Sequence, residues 1–493
     1  MARKPKRSGP RWIWQPGKSH PSLLLLCWLV ALEFGLTFAL GGSAAERGPA
    51  AGLMLALALV ILPLGTTLLM RPNVPVSPGP YLLLFAVLLL PLLQLVPLAP
   101  EVWTRLPGRG TVVTTFHTMG IAAPRMPLSL NPAKTWDAFL WLMVPAAIFI
   151  GTSALARRLR VWLSSVIVLC MVISLGLGAL QMNIGAGQSL QFYAHIHHGL
   201  PIGFFANRNH QAIALAICLP LIAANVLTWA QASKGATQFG QFAYIGLTGL
   251  FTAGILMTQS RAGLVLGGLA LMAGLALYFL GRPAQSSEAS RRPWFLAVAF
   301  VTILVVQIGI GAVLSRFGGL GEEGRFEFWP LVLQGAVSLQ PWGSGLGSFD
   351  AIFRSIEPIS MLDGFYLNEA HNDYFQLVWE AGLVFPVLFA VFLWWFFTSF
   401  SARLREPDRV NARLVLAAAA GVGLLLLHGV VDYPLRTPAL ASVFAFLCGC
   451  MTRPPLPGSI TSPAQPKTPA KRRALRRSKP RKRRTSKPSA SAG

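Results

Sequence analysis

The sequence predicts an all-α, polytopic integral membrane protein of about twelve transmembrane helices, with one long outward-facing loop between helices 9 and 10. Three observations carry this expectation. Of the 493 residues, 54% are hydrophobic and only 12% charged, with a mean hydropathy of +0.56; a soluble domain carries about a quarter charged residues. Apolar runs of about 17 to 25 residues, the length that crosses a hydrocarbon core, recur near 22–41, 49–70, 81–98, 135–156, 161–183, 211–230, 240–258, 262–280, 294–314, 382–400, 412–431 and 435–451. Backbone groups in lipid must be satisfied within their own segment, so each run is a helix rather than a strand.

The runs divide the chain into a basic N-terminal segment, 1–21, a transmembrane domain, 22–451, and a tail, 452–493. The first run precedes Gly41-Gly42-Ser43-Ala44-Ala45, so a cleaved signal peptide competes with a retained helix. Its length and the in-membrane Glu33 favour the retained helix. Cys27, Cys170, Cys218, Cys448 and Cys450 all fall inside apolar runs and read as packing residues. With no CxxC pair and no zinc-like histidine spacing, no metal site is expected. The tail holds 13 Lys/Arg and no acidic residue, more than half of the formal charge of +25. Rich in Pro, Ser and Ala, it is expected to be disordered and to touch anionic lipid headgroups rather than nucleic acid.

Basic residues set the orientation. Both ends are basic, and the even-numbered connections carry Arg71, Arg157-Arg158 with Arg160, Lys234, Arg282 with Arg291-Arg292, and Arg403, Arg405 and Arg409. By the positive-inside rule these face the cytoplasm, together with both termini. The odd-numbered connections then face outward, among them 184–210, 259–261 and the long loop, 315–372. Arg208, Arg261 and Arg325 lie on that outward side against the bias, and each is set in a polar motif.

Five polar clusters share this predicted face: 203–211 with Asn207-Arg208-Asn209-His210, 258–263 with Ser260-Arg261, 322–329 with Arg325 and Trp329, 368–374 with His371-Asn372-Asp373, and His428 with Asp432-Tyr433-Pro434 and Arg436. Any one arginine could snorkel from a helix end to headgroups. Three on one face make an anion site, because guanidinium forks bind phosphate bidentately and stay charged. Asn372 or Asp373 is suited to cap the helix that follows, whose start favours an anion. His371 is the candidate general base for a hydroxyl nucleophile, its plainer reading being a hydrogen-bonded loop histidine. Glu380, seven residues beyond Asp373 on a similar face, either orients His371 or an arginine or is a packed interfacial carboxylate. The Gly343-Gly345-Gly347 run lacks the strand–turn–helix context and the Lys-Ser/Thr of a nucleotide site, and reads as a tight turn.

With these residues in view, the chain resembles the O-antigen ligase and polysaccharide polymerase superfamily of bacterial membrane glycosyltransferases. The likeness runs over 203–382. Its most specific element is His371-Asn372 followed, after nine intervening residues, by Gly382. Arg325 with Trp329, and Pro341-x-Gly343-x-Gly345-x-Gly347, precede it in the family's order; Thr258-x-Ser260-Arg261 and Asn207-x-Asn209 are weaker elements. The resemblance implies transfer of a glycan from undecaprenyl diphosphate to an acceptor at the periplasmic face of the inner membrane, without metal or cofactor. It implies that Arg208, Arg261, Arg325 and Asn372 hold the diphosphate and that His371, with Arg325 and Arg261, is catalytic. Glu380 and Asp432 would support them from behind. Lipid A–core is the expected acceptor, with a growing glycan, as in a polymerase, or a protein as the alternatives. Phe385 departs from the ligase-type pattern, which has a small residue or Tyr there, and leaves the acceptor subtype open. From another class, a membrane transporter would also suit twelve spans with polar residues, although no inverted repeat is evident and the polar motifs gather on one face.

Overall fold

Apolar runs opened by Pro behind a side-chain acceptor fold as helices, since Pro pre-sets the first turn and the acceptor satisfies an orphan N–H. The computed structural model describes residues 20–45, 48–71, 74, 76–183, 190–194, 196–197, 199–232, 237–281, 325–361, 367–405 and 409–455. The predicted ninth span, 294–314, the start of the long loop at 315–324, most of the basic N-terminal segment and nearly all of the tail lie outside the described residues.

The helices are α1 (Pro21–Leu40), α2 (Gly52–Leu69), α3 (Gly79–Gln94), α4 (Pro100–Trp103), α5 (Gly110–Thr118), α6 (Pro132–Ala154), α7 (Arg157–Asn183) and α8 (Arg208–Ala232). They continue with α9 (Thr237–Met257), α10 (Arg261–Leu280), α11 (Arg325–Ser338), α12 (Phe349–Phe353), α13 (Asp373–Ala381), α14 (Val384–Leu404), α15 (Arg409–His428) and α16 (Pro438–Met451). Among the described residues, eight helices are long and apolar enough to cross a membrane, and three shorter apolar ones, at Gly79–Gln94, Ala412–His428 and Pro438–Met451, coincide with further predicted spans. The described strand is a two-residue antiparallel pair, β1 (Pro97–Leu98) with β2 (Met126–Pro127).

Burial orders the bundle. In α8, 83% of the membrane-length window is buried, against 6% in α14. Polar side chains turn away from lipid into the bundle; α8 buries Asn209, His210, Gln211 and Asn225 and packs against α7, α9, α10 and α15. α14 is peripheral and carries an aromatic ladder through Phe385, Phe389 and Phe392.

Buried arginines bind helix C-termini at the end opposite the polar clusters. Arg160, 1% exposed, donates to the carbonyls of Leu155, Ser153, Gly449 and Thr452 at 2.8–3.0 Å. One guanidinium thereby satisfies the orphan carbonyls of both α6 and α16. Arg413 does the same for Leu227 of α8 and Gly281 after α10.

The expected long loop is itself folded where it is described. α11, α12 and α13 enclose a small core of Val332, Ala336, Phe349, Phe353 and Trp379. The glycine run is the hub of this segment: Gly343, Gly345 and Gly347 have φ of +74, +102 and +75°. A Cβ on Gly345 would lie 2.4 Å from Ser129 Oγ, so only glycine permits both the turn and the contact. Gln94 bridges the same hub, donating to the Glu380 carbonyl at 3.0 Å and accepting from Leu346 N–H at 2.9 Å.

Candidate active site

α13 carries His371 to the far side of the molecule from Arg160. Asn372 caps it, its Oδ1 accepting from the N–H groups of Tyr374 and Phe375 at 3.0 Å. The same side chain donates to the Val430 carbonyl at 2.8 Å, while Asp373 N–H donates to the Gly429 carbonyl at 2.8 Å. The start of α13 is thus pinned to the turn that ends α15. Immediately before the cap, His371 adopts φ +49°, a left-handed conformation that histidine tolerates better than most residues and that surrounding contacts must hold in place.

That turn continues into Asp432, and here the first polar group assembles. Asp432 is fully buried. Its Oδ2 accepts from Asn209 Nδ2 at 2.7 Å, and its Oδ1 accepts from Tyr433 N–H at 2.9 Å. His371 Nδ1 and His210 Nε2 each lie 3.6 Å from Oδ1, with His371 23% exposed and His210 1%. These are electrostatic contacts, longer than hydrogen bonds. The Tyr433 ring stands edge-on to both imidazoles, at 5.0 Å from His210 and 4.8 Å from His371. Burial alone would raise the Asp432 carboxyl, but His210 and His371 outweigh it and hold it well below the usual carboxylate range.

Arg208 opens α8 one residue before Asn209, and its N–H donates to His197 Nδ1 at 3.4 Å. Burial, reinforced by the Arg208 charge, pushes His197 down to about 4, so the ring is neutral and free to accept. Arg261 opens α10 behind the Ser260 cap, whose Oγ accepts from Gly263 N–H at 3.0 Å. Gly263 packs so closely on Ala212 of α8 that a Cβ would lie 2.4 Å from it, which sets the starts of α8 and α10 side by side. Arg325 is the first residue of α11, and its side chain lies outside the described residues. α11 is tied to the His371 segment by Trp329 Nε1, which donates to the Ala370 carbonyl at 3.2 Å.

A second polar group lies along α13. Glu380, fully buried, receives Arg436 Nη1 at 2.8 Å, and Arg436 Nε is 3.6 Å from Asp373 Oδ1. Gln376 donates to Glu369 and, at 3.3 Å, to Glu380. Burial opposes the Arg436 charge, but Glu380, Glu369 and Asp373 outweigh it and push its pKa up. Burial pushes Asp373 up to about 7 despite Arg436. Glu380 therefore engages Arg436 rather than His371. The partner, Arg436, was visible in its motif without a role; so was His210. The signal for this group was legible, because Asp373, Gln376 and Glu380 recur at i, i+3 and i+7 on one helical face.

This group lines one end of a cavity of about 600 Å³ between α3, α6, α13, α14 and α16. The other end is walled by Val87, Trp141, Phe385, Phe389, Phe392 and Trp395. Arg436 and Lys134 face it against Asp137, Asp350, Glu369, Asp373 and Glu380; Arg208, Arg261 and His371 do not line it. Compared with models of protein families and with curated proteins, the chain matches none.

Proposed function

We propose that this chain is a metal-independent glycosyltransferase of the O-antigen ligase type, which moves a glycan from undecaprenyl diphosphate to lipid A–core at the periplasmic face of the bacterial inner membrane. In this reading it spans the membrane twelve times, with both termini cytoplasmic. The observation that carries it is the pairing of His371 with buried Asp432 beside the arginine-bearing starts of α8 and α10. A base held by a buried carboxylate next to fixed cations is what attack of a hydroxyl on a diphosphate-linked sugar requires.

Asp432 holds Nδ1 of His371, which leaves Nε2 to take the acceptor hydroxyl proton. The hydroxyl oxygen then forms a bond to the anomeric carbon as the bond from that carbon to the diphosphate oxygen breaks. The electron pair leaves with undecaprenyl diphosphate, and its charge falls to Arg208, Arg261 and Arg325, supported by the positive ends of the helices they open.

The cavity suits the acceptor better than the diphosphate. Its polar end carries more carboxylates than cations and offers amide and carboxylate groups to sugar hydroxyls, and its apolar walls suit acyl chains. The test is reconstitution of purified protein with undecaprenyl-diphosphate-linked glycan and three acceptors: lipid A–core, a second lipid-linked glycan, and a pilin-like peptide. Product on lipid A–core, lost in His371→Ala and Arg325→Ala, is the expected result. Wild-type transfer by both variants would overturn the site; extension of the lipid-linked glycan instead would make the protein a polymerase.

A further inference from the structure

The Oδ1 atom of Asp432 faces two imidazoles at the same distance, 3.6 Å to His371 Nδ1 and 3.6 Å to His210 Nε2. Its sister oxygen is committed to Asn209. The base assigned above uses only one of these histidines. His210 is buried in the first turn of α8, where neither ring nitrogen has a hydrogen-bond partner and Asp432 is its ion-pair contact. We propose that His210 is a positioning residue that competes with His371 for Asp432 and so sets the pH at which His371 can accept a proton. The inference rests on the reading of His371 as the base.

The geometry makes the competition unavoidable. One carboxylate offers one negative charge, and two imidazolium rings on the same oxygen would leave a buried net positive charge. The remaining groups around the pair include one further carboxylate, Glu369, which already accepts from Gln376 and faces the Arg436 charge. The segment before α8 presents His197, and the first residue of α8 is Arg208, a cation. The end of α15 presents His428, whose ring centre is 6.4 Å from that of His210, and the following turn presents Tyr433, a phenol whose pKa burial pushes up. Glu369, from the segment before α13, is a further carboxylate whose charge reaches Tyr433. Positive charge on either ring therefore opposes positive charge on the other, both facing the same carboxylate oxygen. When His371 takes the acceptor proton, a neutral His210 leaves the whole Asp432 charge to the new imidazolium.

Two measurements separate this idea from the transferase reading. In nanodiscs, histidines labelled with ¹³C are titrated by NMR, with His371 assigned from its loss in His371→Gln. In His210→Phe, which keeps a ring against Tyr433 but has no nitrogen, the His371 midpoint should rise by about one pH unit, the scale at which two sites are counted as coupled. By reciprocity, His210 should rise by the same amount in His371→Gln; that variant sits at a partly exposed position and gives the answer if His210→Phe fails to fold. The ascending limb of transfer rate against pH should move with the NMR midpoint, which a merely structural role for His210 would not cause. Unmoved midpoints in both folded variants would overturn the coupling whether or not the protein transfers glycan. Shifted midpoints without any transfer activity would uphold the coupling and sink the transferase reading instead.

Discussion

Asp432 and Asp373 are both buried carboxyls on facing turns, yet their surroundings drive them in opposite directions. Asp432 is held low because two imidazoles and an amide meet it; Asp373 is pushed up to about 7 because burial exceeds what Arg436, already shared with Glu380, returns to it. For Asp373 the folded state binds its proton more tightly than the unfolded chain, where the value is near 3.8. Stability should therefore fall as pH rises from about 4 to about 7. For Asp432 the sign reverses: its contribution is complete above the unfolded value and is lost as pH falls through the folded one. Thermal unfolding in detergent across this range should show Asp373→Asn lacking part of the wild-type decline; an unchanged slope would refute the assignment. Asp432→Asn, which keeps the shape but not the charge, should lower kcat by about 10²-fold or more with little effect on donor KM, within the range a positioned general base supplies. A loss confined to KM would instead make Asp432 a binding residue.

At the scale of elements, the cap before α13 and the glycine turn were the most legible features. Asn372 caps the helix its position suggested, and the glycine run makes the tight turn expected of it. Gly382 supplies a physical reason for its motif: at φ +57°, its Cβ would lie 2.2 Å from the Pro341 carbonyl oxygen, where the chain folds back on the end of α13. The division of labour among arginines was less legible. Arg160 reads in sequence as one more charge of a topological cluster, because the carbonyls it meets lie 289 and 292 residues away. Arg160→Met should destabilise the protein by about 3 kcal/mol or more, since it leaves several buried helix-end carbonyls without donors. Along α6, about 30 Å at 1.5 Å per residue separates Arg160 from the polar end of the cavity, where Lys134 lies. The surviving folded fraction should therefore transfer glycan at the wild-type rate; full thermal stability would show that water or another side chain serves those carbonyls.

Over the whole molecule, hydropathy located the long apolar helices among the described residues, because the bilayer imposes both length and composition on each one. It could not show how they assemble. The cavity is lined by residues scattered from Ala44 to Cys448, and Arg436 enters it only because the turn after α15 folds against α13. The cavity joins a wall of aromatic rings to an end of carboxylates and amides, so a bound amphiphile would gain apolar burial along its chains and hydrogen bonds at its head. Narrowing the apolar part should then penalise only acceptors that carry chains. Ala441 lines the cavity on α16, and Ala441→Phe adds a ring where acyl chains would lie. We expect KM for lipid A–core to rise about 10-fold, equivalent to about 1.4 kcal/mol, while transfer to a soluble core oligosaccharide is unchanged, because that acceptor uses only the polar end. Equal impairment of both acceptors would place the fault in folding or in the His371 site. Impaired use of the donor, with the acceptor KM unchanged, would assign the cavity to the polyprenyl chain.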